Sequence, residues 1–297
     1  MPEPNSTESE VTRLADALHA RATVVTHHPT HGVVWATARG ERTCIGWSEG
    51  LVELPYENVQ PVSLVSARGQ FLVGLRSLSS SSPERAVLVD PTTGVHEERA
   101  RFESFGELQS VAWDGDDVLV EHARRLHRGA TDLGFAKSLV QAGSCVYFAS
   151  RDASSPMRAW TLDDTRAPSV LDAPTVDHGI LHAAGDDVFW LSARQLVRYR
   201  PGLGVDTVST TPGEVGRVFY VGARVAWVTP VIDGVSELHF DDGSRQPVPQ
   251  GLRLCLPTDE GWVALRPRQS AHPAGHAFAL LRGAMQGADL VHWHVAR

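Results

Sequence analysis

The segment Asp187-Val188-Phe189-Trp190-Leu191-Ser192 is followed by a two-residue turn, Ala193-Arg194, and then by Leu196-Val197-Arg198-Tyr199-Arg200-Pro201-Gly202. A compact apolar run, a tight turn and a second run closed by Pro-Gly read as two antiparallel strands. Ile180 to Ala184 adds an apolar strand before them, and Val205 to Ser209 a weaker one after them. The unit therefore predicts four antiparallel strands in chain order.

The same unit recurs outward in both directions. Its central apolar run matches Val33 to Thr37, Phe71 to Leu75, Asp117 to Glu121, Cys145 to Ala149, Arg224 to Val228 and Trp262 to Leu265. With Trp35, Val73, Val120, Phe148, Trp190, Trp227 and Ala264 as equivalent anchors, the steps are 38, 47, 28, 42, 37 and 37 residues. An internal repeat of about this length is the mark of a repeat architecture. An apolar segment precedes each anchor: Thr23 to Thr26, Val62 to Ser66, Leu108 to Ala112, Ser138 to Ala142, Arg217 to Val221 and Leu252 to Leu256 in the other six units. Third strands follow at Ala86 to Val89, Ser236 to Phe240 and Ala277 to Leu281. A single four-stranded sheet cannot bury both faces, so such units stack in a ring. The expectation is an all-β chain, a seven-bladed β-propeller of four-stranded blades. Six blades are the alternative, because the 28-residue third step leaves little room for a fourth strand. A β-sandwich is the remaining competitor.

Residues before the first unit read differently. Met1 to Glu10 is polar and acidic, the composition of a disordered tail. Val11 to Ala20 predicts a short helix, with Thr7 and Glu10 as a capping pair and Val11, Leu14 and Leu18 at helical spacing. The division expected is thus 1–22 for tail and helix, and 23–297 for one propeller domain.

The 297 residues carry 27 Lys and Arg against 35 Asp and Glu, a formal charge of -8. This balance argues against a nucleic-acid partner, which calls for clustered positive charge. Lys137 is the single lysine, as GC-rich coding produces. Cys44, Cys145 and Cys255 are odd in number and lack CxxC spacing, which fits a reducing compartment better than a disulfide framework. Met1 to Glu10 lacks the basic start and apolar run of a leader, and no apolar stretch reaches membrane-spanning length. A soluble, cytoplasmic protein without membrane partner or cofactor is expected.

The repeats quoted above resemble β-propeller repeats in general, from about Thr23 to Arg297. Phe189-Trp190-Leu191-Ser192 is loosely similar to the YWTD strand, and His178-Gly179-Ile180 through Tyr199 to a streptogramin-lyase-type blade. In those lyases histidines of a PHGI-like segment serve catalysis; here only His178 matches, with Asp177 in place of the proline. Trp113-Asp114 is a WD dipeptide, but it occurs in one unit and before a turn, unlike the recurring signal of WD-repeat proteins.

Fourteen histidines prompt a search for metal ligands. His178 and His182 are four apart, as are His272 and His276, but on a strand that spacing separates side chains by about 13 Å, too far for one ion. No metal site is expected. Aligned without gaps from the anchors, His178 corresponds to Thr23, Pro61, Leu108, Ala136, Val215 and Leu252. His182 corresponds to His27, Val65, Ala112, Val140, Phe219 and Leu256. Both rings are mainly apolar. Asp116-Asp117, Asp163-Asp164, Asp186-Asp187 and Asp241-Asp242 fall in turns, where Asp bonds its own backbone. No GxSxG, P-loop or HExxH motif occurs.

Loops between second and third strands are tight at Arg39-Gly40-Glu41, Ala123-Arg124 and Ala193-Arg194. They lengthen at Arg76 to Glu84, Arg151 to Met157, Thr229 to Gly234 and Arg266 to Gly275. In a closed ring the second, sixth and seventh units flank the first, so Arg76, Asp233, Arg266, Arg268 and His272 gather over one sector as candidate binding residues. Function concentrates on loops held by a rigid scaffold. The leading expectation is a binding module that takes a protein or small ligand through this face. The rival is a lyase or hydrolase at the channel mouth, with His178 and His182 as acid and base and Asp177 or Glu214 nearby.

Overall fold

The computed structural model describes residues 11–19, 22–39, 42–151, 156–162, 167–229, 236–259, 261–267 and 287–294. These form seven four-stranded antiparallel sheets. The chain begins with β1 (Val11–His19). Blade 1 follows as β2 (Thr23–His28), β3 (Gly32–Arg39), β4 (Arg42–Trp47) and β5 (Gly50–Glu57). Blade 2 is β6 (Val59–Ala67), β7 (Gln70–Ser77), β8 (Glu84–Val89) and β9 (His96–Phe102). Blade 3 is β10 (Leu108–Asp114), β11 (Asp117–His122), β12 (Arg125–Arg128) and β13 (Thr131–Phe135). Blade 4 comprises β14 (Lys137–Ala142), β15 (Cys145–Ser150), β16 (Arg158–Leu162) and β17 (Pro168–Thr175). Blade 5 comprises β18 (Leu181–Ala184), β19 (Asp187–Ser192), β20 (Gln195–Arg200) and β21 (Gly204–Ser209). Blade 6 is β22 (Arg217–Val221), β23 (Arg224–Val228), β24 (Ser236–Phe240) and β25 (Arg245–Val248). Blade 7 holds β26 (Arg253–Thr258), β27 (Gly261–Pro267), β28 (Gly287–His294) and, at its outer edge, β1.

All seven anchors lie on the second strand of their blade. The reason is burial on both faces. In β7, Phe71, Val73 and Leu75 pack toward blade 1 while Leu72 packs toward blade 3. In β19, Val188 and Trp190 face blade 4 while Phe189 faces blade 6. Side chains alternate, but both alternates are covered, so the strand reads as one apolar run. Each junction between neighbouring blades holds its own hydrophobic cluster. Gly74 marks a close approach at one of them, since a Cβ there would lie 3.0 Å from Leu108 Cδ2. The inner strands touch in a cycle, β2 to β6, β10, β14, β18, β22, β26 and back to β2. The ring is closed at seven blades, not six.

Three expectations need correction. Val11–His19 is a strand rather than a helix. It pairs antiparallel with β28, from Val11 opposite Trp293 to His19 opposite Gly287. An unpaired β28 would expose a row of backbone donors and acceptors, and pairing it outweighs a modest local helix preference. Irregularities between Arg13 and Ala15 and between Ala15 and Leu18 send Leu18 into the core while Leu14 stays exposed. Second, the third position in blade 7, expected for Ala277 to Leu281, is taken by β28, which pairs with β27; Ala277 to Leu281 lies outside the described residues. Third, blade 3 is complete. It fits its short span by using strands of four and five residues, β12 and β13.

Two of the tight loops behave as read, while Gly40 and Glu41 of the other lie outside the described residues. Ala123 and Arg124 have φ of 52° and 60°, and Ala193 and Arg194 have 48° and 66°. Two successive residues in the left-handed region form the hairpin turn whose twist matches the flanking strands. No helix long and apolar enough to cross a membrane occurs among the described residues.

Candidate functional site

Connections between blades and loops from second to third strands emerge on one face, at the start of every inner strand. There the channel widens into a cavity of about 760 Å³ on the side of blades 6, 7, 1 and 2. Arg76, Arg217 and Arg253 line it, together with Gln60, Ser63 and Thr229. No carboxylate lines it among the described residues.

Each arginine is set by its strand end. Arg76 lies near the end of β7, where Nε donates to the Leu108 carbonyl at 2.7 Å and Nη2 to Gln109 Oε1 at 2.8 Å. Arg253 opens β26 and donates through Nη2 to the Thr23 carbonyl at 2.9 Å. Arg217 opens β22 and has no hydrogen-bond acceptor or ion-pair partner among the described residues. Its Cζ lies 5.7 Å from the centre of the Phe219 ring. Water reaches Arg217 along the channel, yet protein surrounds it, and this burial holds its guanidinium below the usual arginine range. The nearby Arg253 charge acts in the same direction. Cys255, which interacts electrostatically with both arginines and offsets part of the Arg217 shift, is a buried thiol whose own titration burial pushes up.

Deeper in the channel, a second cavity of about 290 Å³ is lined by Ser63, Gln141, His182 and Arg217 among others. Burial, reinforced by the Arg217 charge, lowers the pKa of His182 to about 4. The imidazole is therefore neutral at physiological pH.

His178 has different surroundings. It sits in the short turn Asp177–Gly179 between blades 4 and 5, exposed, with φ 57° and ψ 0°. Its carbonyl accepts from Lys137 Nζ at 2.6 Å, and Asp177 Oδ2 accepts the Arg194 N–H at 3.2 Å. His178 and Asp177 line neither channel cavity, whereas His182 lines the deeper one. Of the loop candidates, Arg76 reaches the channel mouth. Arg266 is exposed on β27, 3.8 Å from Asp289 Oδ2, and does not line the cavity. Asp233, Arg268 and His272 lie outside the described residues.

Arg217 and Arg253 escaped the sequence reading. The aligned rings of His178 and His182 lie twelve and eight residues before the Trp190 anchor. Arg217 lies ten residues before Trp227 and Arg253 eleven before Ala264. Lining up those two intervening rings shows both. Among the described residues no three His, Cys, Asp or Glu side chains gather as metal ligands.

The chain is a β-propeller repeat protein. No family model matches the sequence, and no curated protein matches it either. A chain of a mitotic checkpoint complex aligns over 100% of this chain and 96% of its own, with a TM-score of 0.55 and 10% identity. The β-propeller domain of the trilobed protease from Pyrococcus furiosus, described as having an open velcro topology, aligns over 85% of this chain and 91% of its own, with a TM-score of 0.52 and 11% identity. The acylaminoacyl peptidase from Pyrococcus horikoshii aligns over 90% of this chain, which spans 55% of the peptidase, with a TM-score of 0.51 and 11% identity. Likeness at this level concerns the fold, since one propeller architecture hosts many activities.

Proposed function

We propose that this propeller is a cytoplasmic binding module that takes a small ligand into the channel mouth on its loop-bearing face. The observation that carries the reading is the cavity of about 760 Å³ at the start of the inner strands. That volume falls within the usual size of small-molecule sites, roughly 300 to 1,000 Å³. Its walls are strand ends fixed by hydrogen bonds between blades, so the site exists before the ligand arrives and little ordering entropy opposes binding. Cys44, Cys145 and Cys255 are all free thiols, in keeping with a reducing compartment.

Binding is favoured over hydrolysis or elimination by the placement of the imidazoles. An acid and a base working on one substrate must reach the same reacting atoms. His182 faces the channel, while the Asp177–Gly179 turn bearing His178 is engaged with Lys137 and Arg194.

A thermal-shift screen of small metabolites against the wild type and Gln60→Trp tests the reading. Gln60 lines the mouth, and an indole there narrows it. Ligands that raise the melting temperature of the wild type but not of Gln60→Trp are expected. A panel that moves neither protein, or both alike, overturns it.

A further inference from the structure

We propose that the ligand of the channel mouth is a small carboxylate or phosphate anion with at least two negative charges, gripped by Arg217 and Arg253 on blades 6 and 7 and by Arg76 on blade 2. The inference rests on the channel mouth being the binding site and deepens that reading by naming the class of ligand.

The first argument is the contrast with other arginines of the chain. Arg42 pairs with Glu53 at 2.7 Å, Arg68 with Asp116 at 2.6 Å, Arg85 with Glu98 at 2.8 Å and Arg198 with Asp206 at 2.6 Å. In a chain whose carboxylates outnumber its cations 35 to 27, such partners are easily found. The three arginines of the channel mouth have none among the described residues. Three cations without a carboxylate, in a pocket of an acidic protein, concentrate positive potential where low-dielectric walls focus it.

The second argument is the state of Arg217. A guanidinium hemmed in by protein at the channel wall, open only to channel water and placed near a second guanidinium, lacks a counter-charge. Burial acts against it first and the Arg253 charge adds to this, Cys255 offsets only part, and Arg217 has no hydrogen-bond acceptor among the described residues. An anion entering the mouth supplies the missing counter-charge. Its planar fork of N–H groups suits a carboxylate or phosphate better than a halide. The same side chain lines the deeper cavity too, so an anion bound there sits at the junction of the two spaces.

The third argument concerns charge number. Arg76 belongs to blade 2 and Arg217 to blade 6, three blades apart in a ring of seven, so these two cations stand across the mouth from each other, with Arg253 of blade 7 between them on the short side. Arg76 spends Nε and Nη2, and Arg253 spends Nη2, on neighbouring acceptors that hold each guanidinium in place. Their Nη1 groups have no protein acceptor among the described residues. A monoanion meets one wall. A molecule with anionic groups at both ends meets both.

Calorimetric titration with citrate and with inorganic pyrophosphate, at matched ionic strength, tests the proposal. Succinate is the two-charge carboxylate probe and glycerol the neutral one. At least one of the three anions is expected to bind one per chain, glycerol not at all. Stronger binding of citrate assigns carboxylates; stronger binding of pyrophosphate assigns phosphates. Arg217→Gln is expected to weaken binding at least tenfold, with Arg217→Lys between it and the wild type. Unliganded Arg217→Gln should be at least as heat-stable as the wild type, because it removes an unpartnered charge, so lost binding is not lost folding. No anion binding at millimolar concentration, or equal binding by Arg217→Gln, overturns the proposal. If neutral metabolites then still stabilise the wild type but not Gln60→Trp, the channel-mouth reading survives and only the anion is wrong. If Gln60→Trp also makes no difference, both fail.

Discussion

Arg253 Nη2 donates to the Thr23 carbonyl at 2.9 Å, joining two residues 230 positions apart across the seam where blade 7 meets blade 1. Beneath that bond lies the cluster of Leu18, Val25, Leu265 and Leu290, contributed by the N-terminal strand, the first blade and the last. The chain closes its ring by lending β1 to blade 7, so the first and last described strands share one sheet.

Closure of this kind makes β1 structurally necessary. Leu18 is 5% exposed, and Leu18→Ala is expected to cost about 2 to 4 kcal/mol by leaving a void at the seam. Removing residues 1–19 should do more, since β28 then presents an unpaired edge. Urea unfolding with size-exclusion chromatography checks both. A truncated protein that is monomeric and as stable as the full chain would show that β1 is dispensable.

Glu84 ties blade 2 to blade 3 in a comparable way. Fully buried, its carboxylate accepts the N–H groups of Leu108 at 2.9 Å, Glu107 at 3.1 Å and Ser77 at 3.2 Å. The Ser104 hydroxyl adds a fourth donor at 3.1 Å. Hydrogen bonds to a charged acceptor are worth more than neutral ones, and Glu84→Ala strands the three backbone N–H donors, while the Ser104 hydroxyl keeps His122 Nε2 as a partner. A loss of roughly 3 kcal/mol or more is expected from denaturant unfolding. A loss below about 1 kcal/mol would mean water replaces the carboxylate.

The turn Ala193-Arg194 carries left-handed backbone on two residues that have a Cβ. Each such residue costs about 1 to 2 kcal/mol, less where neighbouring bonds compensate, and Asn-Gly adopts the same turn with little strain. The double change Ala193→Asn, Arg194→Gly should raise the melting temperature by several degrees, as should Ala123→Asn, Arg124→Gly. Calorimetry of each double variant reads the effect directly.

What was legible in the sequence follows from where the information lies. Trp190 and its six equivalents were readable because a strand buried on both faces is apolar throughout, whatever its neighbours. Ala123-Arg124 and Ala193-Arg194 were readable from length alone, since two residues suffice only for a tight hairpin. Val11–His19 was not. Val11, Leu14 and Leu18 fit a helical stripe, and what makes them a strand is the edge of β28, more than 260 residues away in sequence. The channel arginines were hidden for a similar reason. Arg217 at a strand start resembles any solvent-facing cation until the ring brings Arg253 beside it and leaves both without a carboxylate.

His182 makes the channel sensitive to acid, and the direction follows from its pKa of about 4 against an ordinary 6.5. Above pH 6.5 the imidazole is neutral whether the chain is folded or not, so it contributes no pH dependence. Between 6.5 and 4 the unfolded chain binds a proton that the folded chain refuses, and stability falls as pH falls. Below about 4 both forms are protonated and the loss is complete. It amounts to at most about 3 kcal/mol, since channel water screens part of the penalty. His28, lowered first by burial and then by His31, and His127, lowered first by burial, contribute with the same sign. His182→Asn should therefore flatten only part of the pH 4 to 6.5 slope in urea-measured stability. Arg217→Gln supplies the sharper check, because Arg217 is the second cause of the shift. Removing its charge should raise the His182 pKa toward 6.5 in an NMR titration of the ring protons. A pKa unmoved by Arg217→Gln would mean that burial alone sets it, and that the two side chains do not share the channel electrostatically.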